Sequence, residues 1–227
     1  MKIAVFGTGM VGQTVGGRLA ELGHQVVFGT RDPSATVART EPDRFGTPAF
    51  GVWLGERPGI ELATFADAAG AAYLVVNATN GYGSLPAMSA AGADNLGSKV
   101  VVDISNPLDL SNGFPPRLFV KDTDSLAEQI QRTFPQARVV KTLNTLTANL
   151  MVDPKQLAGG DHTVFVSGDD AQAKQTVTDL LRSFGWTDVL DLGDLSTARG
   201  AELYVGFWAR LLPATGGTGQ FNIKVVR

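Results

Sequence analysis

Short apolar runs alternate along this chain with longer stretches of helical periodicity, and clusters rich in Gly, Asn, Ser and Pro separate them. The run Lys2-Ile-Ala-Val-Phe6 predicts a strand, and the stretch closed by Gly23 predicts a helix. Gln25-Val-Val-Phe-Gly29 predicts a second strand. Ile60–Thr64 reads as a short strand, 65–71 as a short helix, and Tyr73–Asn77 as a fully buried strand. Ser84 is placed to N-cap a helix over 85–92, with Pro86 tolerated in its first turn. Lys99–Ile104 and Arg138–Thr142 predict two more strands, with a capping box at Ser125-x-x-Glu128 opening a helix over 126–134 between them. Residues 32–59, rich in Pro, Gly and charge, predict irregular structure with one short helix from Ser34. Past Asp153-Pro154 the pattern loosens into a strand at 163–167, a helix at 169–184, a strand at 187–191 and a helix over 194–212. Strands alternating with helices indicate a parallel α/β sheet. The expected architecture is a doubly wound parallel sheet over residues 1–150, followed by a small α/β region over 151–227.

The turn after the first strand carries chemistry. Gly7-Thr8-Gly9-Met10-Val11-Gly12 is a Gly-x-Gly-x-x-Gly run with a strand before it and a helix after it, the context of a dinucleotide-binding Rossmann unit. Gly7 permits the tight turn, Gly9 lets the backbone approach a pyrophosphate, and Gly12 lets the helix pack close to the strand. The helix N-terminus adds unpaired N–H groups facing the anion. NAD-binding chains end their second strand in a carboxylate that accepts from the ribose 2′-hydroxyl. Here that strand ends in Gly29-Thr30-Arg31, and the first carboxylate is Asp32. A guanidinium beside a hydroxyl suits a 2′-phosphate, so NADP is the expected dinucleotide.

Composition narrows the rest. A chain of 227 residues can bury a sizeable core, and its net charge of −3 with no Lys/Arg-rich block points away from nucleic acid and anionic membranes. No apolar run reaches the ~18 residues of a membrane helix, and Met1-Lys2 leads straight into a strand, unlike a signal peptide. A cytoplasmic protein is expected. With no cysteines, thiolate nucleophiles and cysteine-held metals are excluded. The two histidines, His24 and His162, have no second ligand at metal spacing and read as structural. No metal site is expected, which leaves chemistry carried by a bound cofactor.

Three further strands end in polar clusters: Asn77-Ala78-Thr79-Asn80, Ser105-Asn106-Pro107 and Asn144-Thr145. Such residues also make ordinary turns, but a parallel sheet brings all three to the edge that carries Gly7–Gly12, where ligands bind. Lys141 is the one candidate acid or base near that edge, and its place within a strand makes it a flanking ion or helix-cap partner.

Several segments together resemble a known family: Gly7–Gly12, Gly29-Thr-Arg31, Val100–Leu108, Val139–Thr145, Val166–Asp170, Asp191–Asp194 and Gly219–Lys224. The chain is similar to the NADP oxidoreductases dependent on the 8-hydroxy-5-deazaflavin coenzyme, whose redox domain is shared by the STEAP-type ferric reductases. The resemblance implies hydride transfer between NADP(H) and a deazaflavin ring. Thr8, Gly9, Met10 and Val11 would hold the pyrophosphate, and Thr30 and Arg31 the 2′-phosphate. Asn77, Ala78, Thr79 and Asn80 would border the dinucleotide, while Asn144 and Thr145 would orient the nicotinamide and the second ring. It also implies a homodimer; residues of the C-terminal region near Trp208, or from a partner subunit, are expected to close the acceptor pocket. The acceptor stays open between deazaflavin, a flavin and a small carbonyl or imine; a non-catalytic NADP-binding redox sensor is the alternative.

Overall fold

The computed structural model describes residues 1–43 and 46–227; Arg44 and Phe45, within the stretch expected to be irregular, lie outside the described residues. The strands among the described residues are β1 (Lys2–Phe6), β2 (Gln25–Thr30), β3 (Glu61–Thr64), β4 (Leu74–Asn77), β5 (Val100–Asp103), β6 (Leu108–Asp109), β7 (Arg117–Leu118), β8 (Arg138–Thr142), β9 (Thr163–Ser167) and β10 (Asp188–Asp191). The helices are α1 (Met10–Glu21), α2 (Pro33–Val37), α3 (Phe50–Gly55), α4 (Phe65–Ala71), α5 (Gly81–Ala91), α6 (Ala93–Leu96), α7 (Leu126–Thr133), α8 (Ala148–Val152), α9 (Ala171–Phe184) and α10 (Ala198–Ala214).

Eight strands form one sheet in the order β10-β9-β8-β5-β4-β1-β2-β3, and β6 pairs with β7 in a separate hairpin. The doubly wound order follows from the apolar runs. Ile3 and Val5 turn to one face, where they join Phe28, α1, α3, α8 and α9, while Ala4 and Phe6 turn to the other, with α4, α5 and α7. Both faces are covered, so the strands read as unbroken apolar runs. The segment after residue 150 adds β9 and β10 to the same sheet; β9 runs antiparallel to β8 and parallel to β10.

Local differences from the sequence reading have local causes. The helix expected from Ser34 begins at Pro33, because Asp32 caps it by accepting from Ala35 N at 2.9 Å. The unpredicted α3 lies inside the Gly- and Pro-rich stretch; Phe50 and Trp53 fix it by packing on Phe28, with ring centroids 4.8 and 5.4 Å away. The α5 helix starts at Gly81, not at residue 85, since Asn80 rather than Ser84 caps it (Gly83 N to Asn80 Oδ1, 2.8 Å). Residues 219–227 form neither helix nor strand. They are pinned beside β9 and β10 by Thr163 N donating to Ile223 O at 2.9 Å and by Arg227 pairing with Asp188 at 2.7 Å.

Candidate functional site

In the sheet order, β1 sits between β2 and β4, so the chain winds away in opposite directions from the adjacent carboxyl ends of β1 and β4. A crevice opens at such a switch point. Here it is a cleft of about 800 Å³ between the turn after β1, the end of β2 and the loop after β4. Gly7, Thr8, Gly9, Thr30, Arg31, Ala78, Thr79 and Asn80 all line it. Of the other expected residues, Met10 stands exposed on the first turn of α1 and Val11 packs against the core. Neither borders the cleft through its side chain.

The turn fits a pyrophosphate on structural grounds. Gly7 has φ +108°, and a Cβ there would lie 2.5 Å from Ala78 O; one on Gly12 would lie 1.9 Å from Gly7 O. Both glycines are therefore required by the close approach of β1, α1 and β4. Gly9 differs: a Cβ there meets nothing within 4 Å, although the residue opens α1 and supplies no capping side chain. Open space in front of uncapped first-turn N–H groups is what an anion needs. Gln13, buried in α1, steadies the turn by donating to Thr8 O at 3.0 Å and to Pro48 O at 2.9 Å. Nothing in its sequence context marks Gln13 out.

At the end of β2, Arg31 is joined by Arg39, also exposed and also on the cleft, a second cation that sequence spacing did not reveal. The hydroxyls beside them are already committed. Thr36 Oγ1 donates to Asp32 O at 2.7 Å, so in its 2.9 Å contact with Thr30 the proton comes from Thr30. Thr30 thus presents oxygen lone pairs to the cleft, and the donors available for a phosphate are the two guanidinia. Asp32, the one carboxylate on the cleft wall among the described residues, is held as the cap of α2.

The strand ends at β5 and β8 differ from expectation. Asn144 and Thr145 are buried, at 4% and 3% exposure, and neither reaches the cleft. Asn144 Nδ2 donates to Asn106 Oδ1 and to Ala201 O, both at 2.9 Å, and Asn106 Nδ2 returns a bond to Asn144 O at 2.8 Å. The three polar clusters therefore do not form a single open wall: α10 covers the third. Leu143, at φ +60°, carries the backbone strain of this corner. Trp208 stacks on Phe221 at 5.5 Å instead of facing the cleft.

Behind the wall lies a buried ionic cluster. Lys141, fully enclosed, pairs with Asp103 and with Glu202 of α10, each at 2.8 Å, and also donates to Ser105 O. Burial works against its ammonium, but Asp103 and Glu202 outweigh that and hold its pKa above the ordinary lysine value. Glu202 also accepts from Leu126 N and Ala127 N at the start of α7, so the helix-cap partner of this cluster is Glu202 rather than Lys141. Asp103 accepts from Asn77 Nδ2 at 2.8 Å and from Ser105 Oγ at 2.7 Å. Asn77 itself is buried and touches the cleft only through Thr79. His162 bonds Pro154 O at 2.9 Å and packs against Trp186, a structural role. Among the described residues no cluster of three or more His, Asp or Glu could hold a metal ion, and no helix is long and apolar enough to cross a membrane.

Comparison with known proteins places this geometry among relatives. The family model described as NADP oxidoreductase, coenzyme F420-dependent, matches residues 2–107. A crystal structure from Arthrobacter sp. FB24, provisionally described as an F420-dependent NADP-reductase, shares 59% identity over 100% of both chains and superimposes with a TM-score of 0.94. Metalloreductase STEAP3 of Rattus norvegicus is 30% identical over 217 residues, 94% of this chain and 37% of that protein. The F420-dependent NADP reductase of Methanocaldococcus jannaschii is 29% identical over 107 residues, 47% of each. The chain thus spans well under two thirds of these two curated relatives.

Proposed function

Because this chain belongs to the family of coenzyme F420-dependent NADP oxidoreductases and is an NADP-dependent oxidoreductase, we propose that it passes a hydride between the nicotinamide of NADP(H) and the ring of a deazaflavin. The observation that supports this reading most is the cleft at the β1/β4 switch point, with open space at Gly9 and two arginines at the end of β2. NADP, when bound, supplies the carbon that gives or takes the hydride. The chain's own residues bind and orient it. The first turn of α1 faces the pyrophosphate, Arg31 and Arg39 take the 2′-phosphate, and Ala78, Thr79 and Asn80 border the riboses. Among the described residues, the titratable side chains on the cleft are Asp32, which caps α2, the two arginines, which stay charged, and Tyr82, whose ring stacks on Phe119. Hydride transfer between two rings needs alignment and exclusion of water more than proton transfer.

Asn144 serves this chemistry as a positioning residue, through the bonds that hold Asn106 and α10 in place, with Thr145 buried beside it. The exposed Leu203 and Phe207 on α10 support a homodimer. A flavin, which offers a flat ring of the same kind as a deazaflavin, is the second reading. Following NADPH absorbance with a deazaflavin, a flavin or neither present separates the readings. Bleaching with deazaflavin supports the first, bleaching with flavin alone supports the second, and no bleaching with either contradicts both.

A further inference from the structure

The proton inventory of the buried cluster reaches the cleft surface. Lys141 has three donors and three acceptors around it: Asp103 Oδ2, Glu202 Oε1 and Ser105 O. Paired with that ammonium at 2.8 Å, Asp103 offers carboxylate oxygens that accept hydrogen bonds. The atom of Asn77 that faces Asp103 Oδ1 must then be the amide nitrogen, which fixes the orientation of that side chain. The second amide hydrogen goes to Ser84 Oγ at 3.1 Å, leaving Asn77 Oδ1 turned toward Thr79. Thr79 Oγ1 donates to it at 2.7 Å. The other neighbour of the Thr79 hydroxyl is Ser84 Oγ at 3.0 Å, also inside the cluster, and Ser84 can place its own proton on Thr79 or on Asn80 O at 3.3 Å. Under every arrangement the Thr79 proton points inward.

We propose that Lys141, acting through Asp103 and Asn77, sets the hydrogen-bond polarity of the cleft wall, so that Thr79 faces the ligand as an acceptor only and takes a ribose hydroxyl rather than a phosphate oxygen. Lys141, Asp103 and Asn77 are positioning residues; Thr79 is the binding residue. A phosphate oxygen at Thr79 would meet lone pairs with no proton between them, which is repulsive, whereas a sugar hydroxyl finds a pre-oriented acceptor. The wall thereby helps to fix the register of the dinucleotide, with its phosphates on α1 and the two guanidinia. Removing Lys141 leaves Asp103 and Glu202 buried together with no counter-charge between them. Without the ammonium nothing holds Asp103 to an accept-only role toward Asn77, and an Asn77 amide that turns over frees the Thr79 proton.

This inference rests on the reading of the cleft as a dinucleotide site, and the experiment separates the two. NADPH and NADH affinities are measured by titration for the wild type and for Gly9→Val, Thr79→Val, Thr79→Ser, Lys141→Met and the Lys141→Met/Thr79→Val double variant. Thr79→Val is expected to weaken both dinucleotides equally, by about tenfold, while Thr79→Ser stays within about twofold of wild type. In the Lys141→Met background, Thr79→Val should cost almost nothing more, because the acceptor is already lost. If Lys141→Met does not fold, Asp103→Asn, which removes the accept-only group, gives the same cycle. Additive losses in the double variant overturn the inference, because Lys141 then acts without Thr79. A loss confined to NADPH also overturns it, since Thr79 would then serve the 2′-phosphate. Wild-type binding retained by Gly9→Val overturns the dinucleotide reading itself and this inference with it.

Discussion

Replacing Arg31 and Arg39 by alanine, singly and together, tests how the cleft recognises its dinucleotide. Both guanidinia stand exposed at the end of β2 and border the cleft. The hydroxyl between them and the sheet gives no donor, because the Thr30 proton lies on Thr36. A hydrogen bond to a charged partner contributes about 1.5–3 kcal/mol. Solvent screening at these exposed positions brings each arginine to about 1–2 kcal/mol. Each single variant should therefore weaken NADPH roughly five- to thirtyfold, and the double variant should approach the product of the two. NADH affinity should stay unchanged throughout, and Thr30→Val should leave NADPH within about twofold. Titration calorimetry at low and high salt reads all of this; the NADPH advantage over NADH should shrink as salt rises. Equal losses for NADPH and NADH would refute the reasoning, as would a wild type that binds NADH as tightly as NADPH.

Three other outcomes follow from particular contacts. Gly9→Val should abolish dinucleotide binding yet shift the melting temperature by no more than about 4 °C, the effect of ~1 kcal/mol in a chain of this size, because its Cβ enters open space. Gly12→Val should lose both binding and stability, since its Cβ would strike Gly7 O. Asp124 is held at about 2, below its ordinary 3.8, chiefly by hydrogen bonds from Arg132 against a smaller opposing effect of burial. A depressed carboxylate stabilises above its unfolded pKa and loses that contribution as pH falls through the folded value. Acid titration of unfolding should therefore show Arg132→Ala losing less stability than wild type between about pH 4 and about pH 2. The pair is largely solvated, so the difference should stay below about 1 kcal/mol, and an identical acid profile in the variant would contradict the assignment.

The β1-α1-β2 unit was legible because its apolar runs, its glycines and Arg31 all act locally: each has a steric or charge requirement visible within a few residues. The capping box at Ser125 and Glu128 was legible for the same reason, and the structure shows Glu128 N donating to Ser125 Oγ at 3.1 Å. What sequence did not show depends on distance along the chain. Arg39 reaches the cleft only because α2 turns the chain back. α3 exists because Phe50 and Trp53 find Phe28, not because Phe-Gly-Val-Trp-Leu-Gly favours a helix. Asn144 looked like a free strand end but is roofed by α10, whose Ala201 lies 57 residues away. Lys141 read as an ion near the ligand edge, but the structure buries it behind the cleft wall, and its two carboxylate partners, 38 residues before it and on α10, were unreadable from a strand pattern.

Transfer of deuterium from NADPH labelled at the reactive nicotinamide carbon tests the central claim most directly. Mass spectrometry of the acceptor after a single turnover should find the label on the deazaflavin ring, and Gly9→Val should abolish its appearance. Oxidation of NADPH with the label retained in the oxidised dinucleotide or released to water, and an unlabelled deazaflavin, would contradict direct hydride transfer in this cleft.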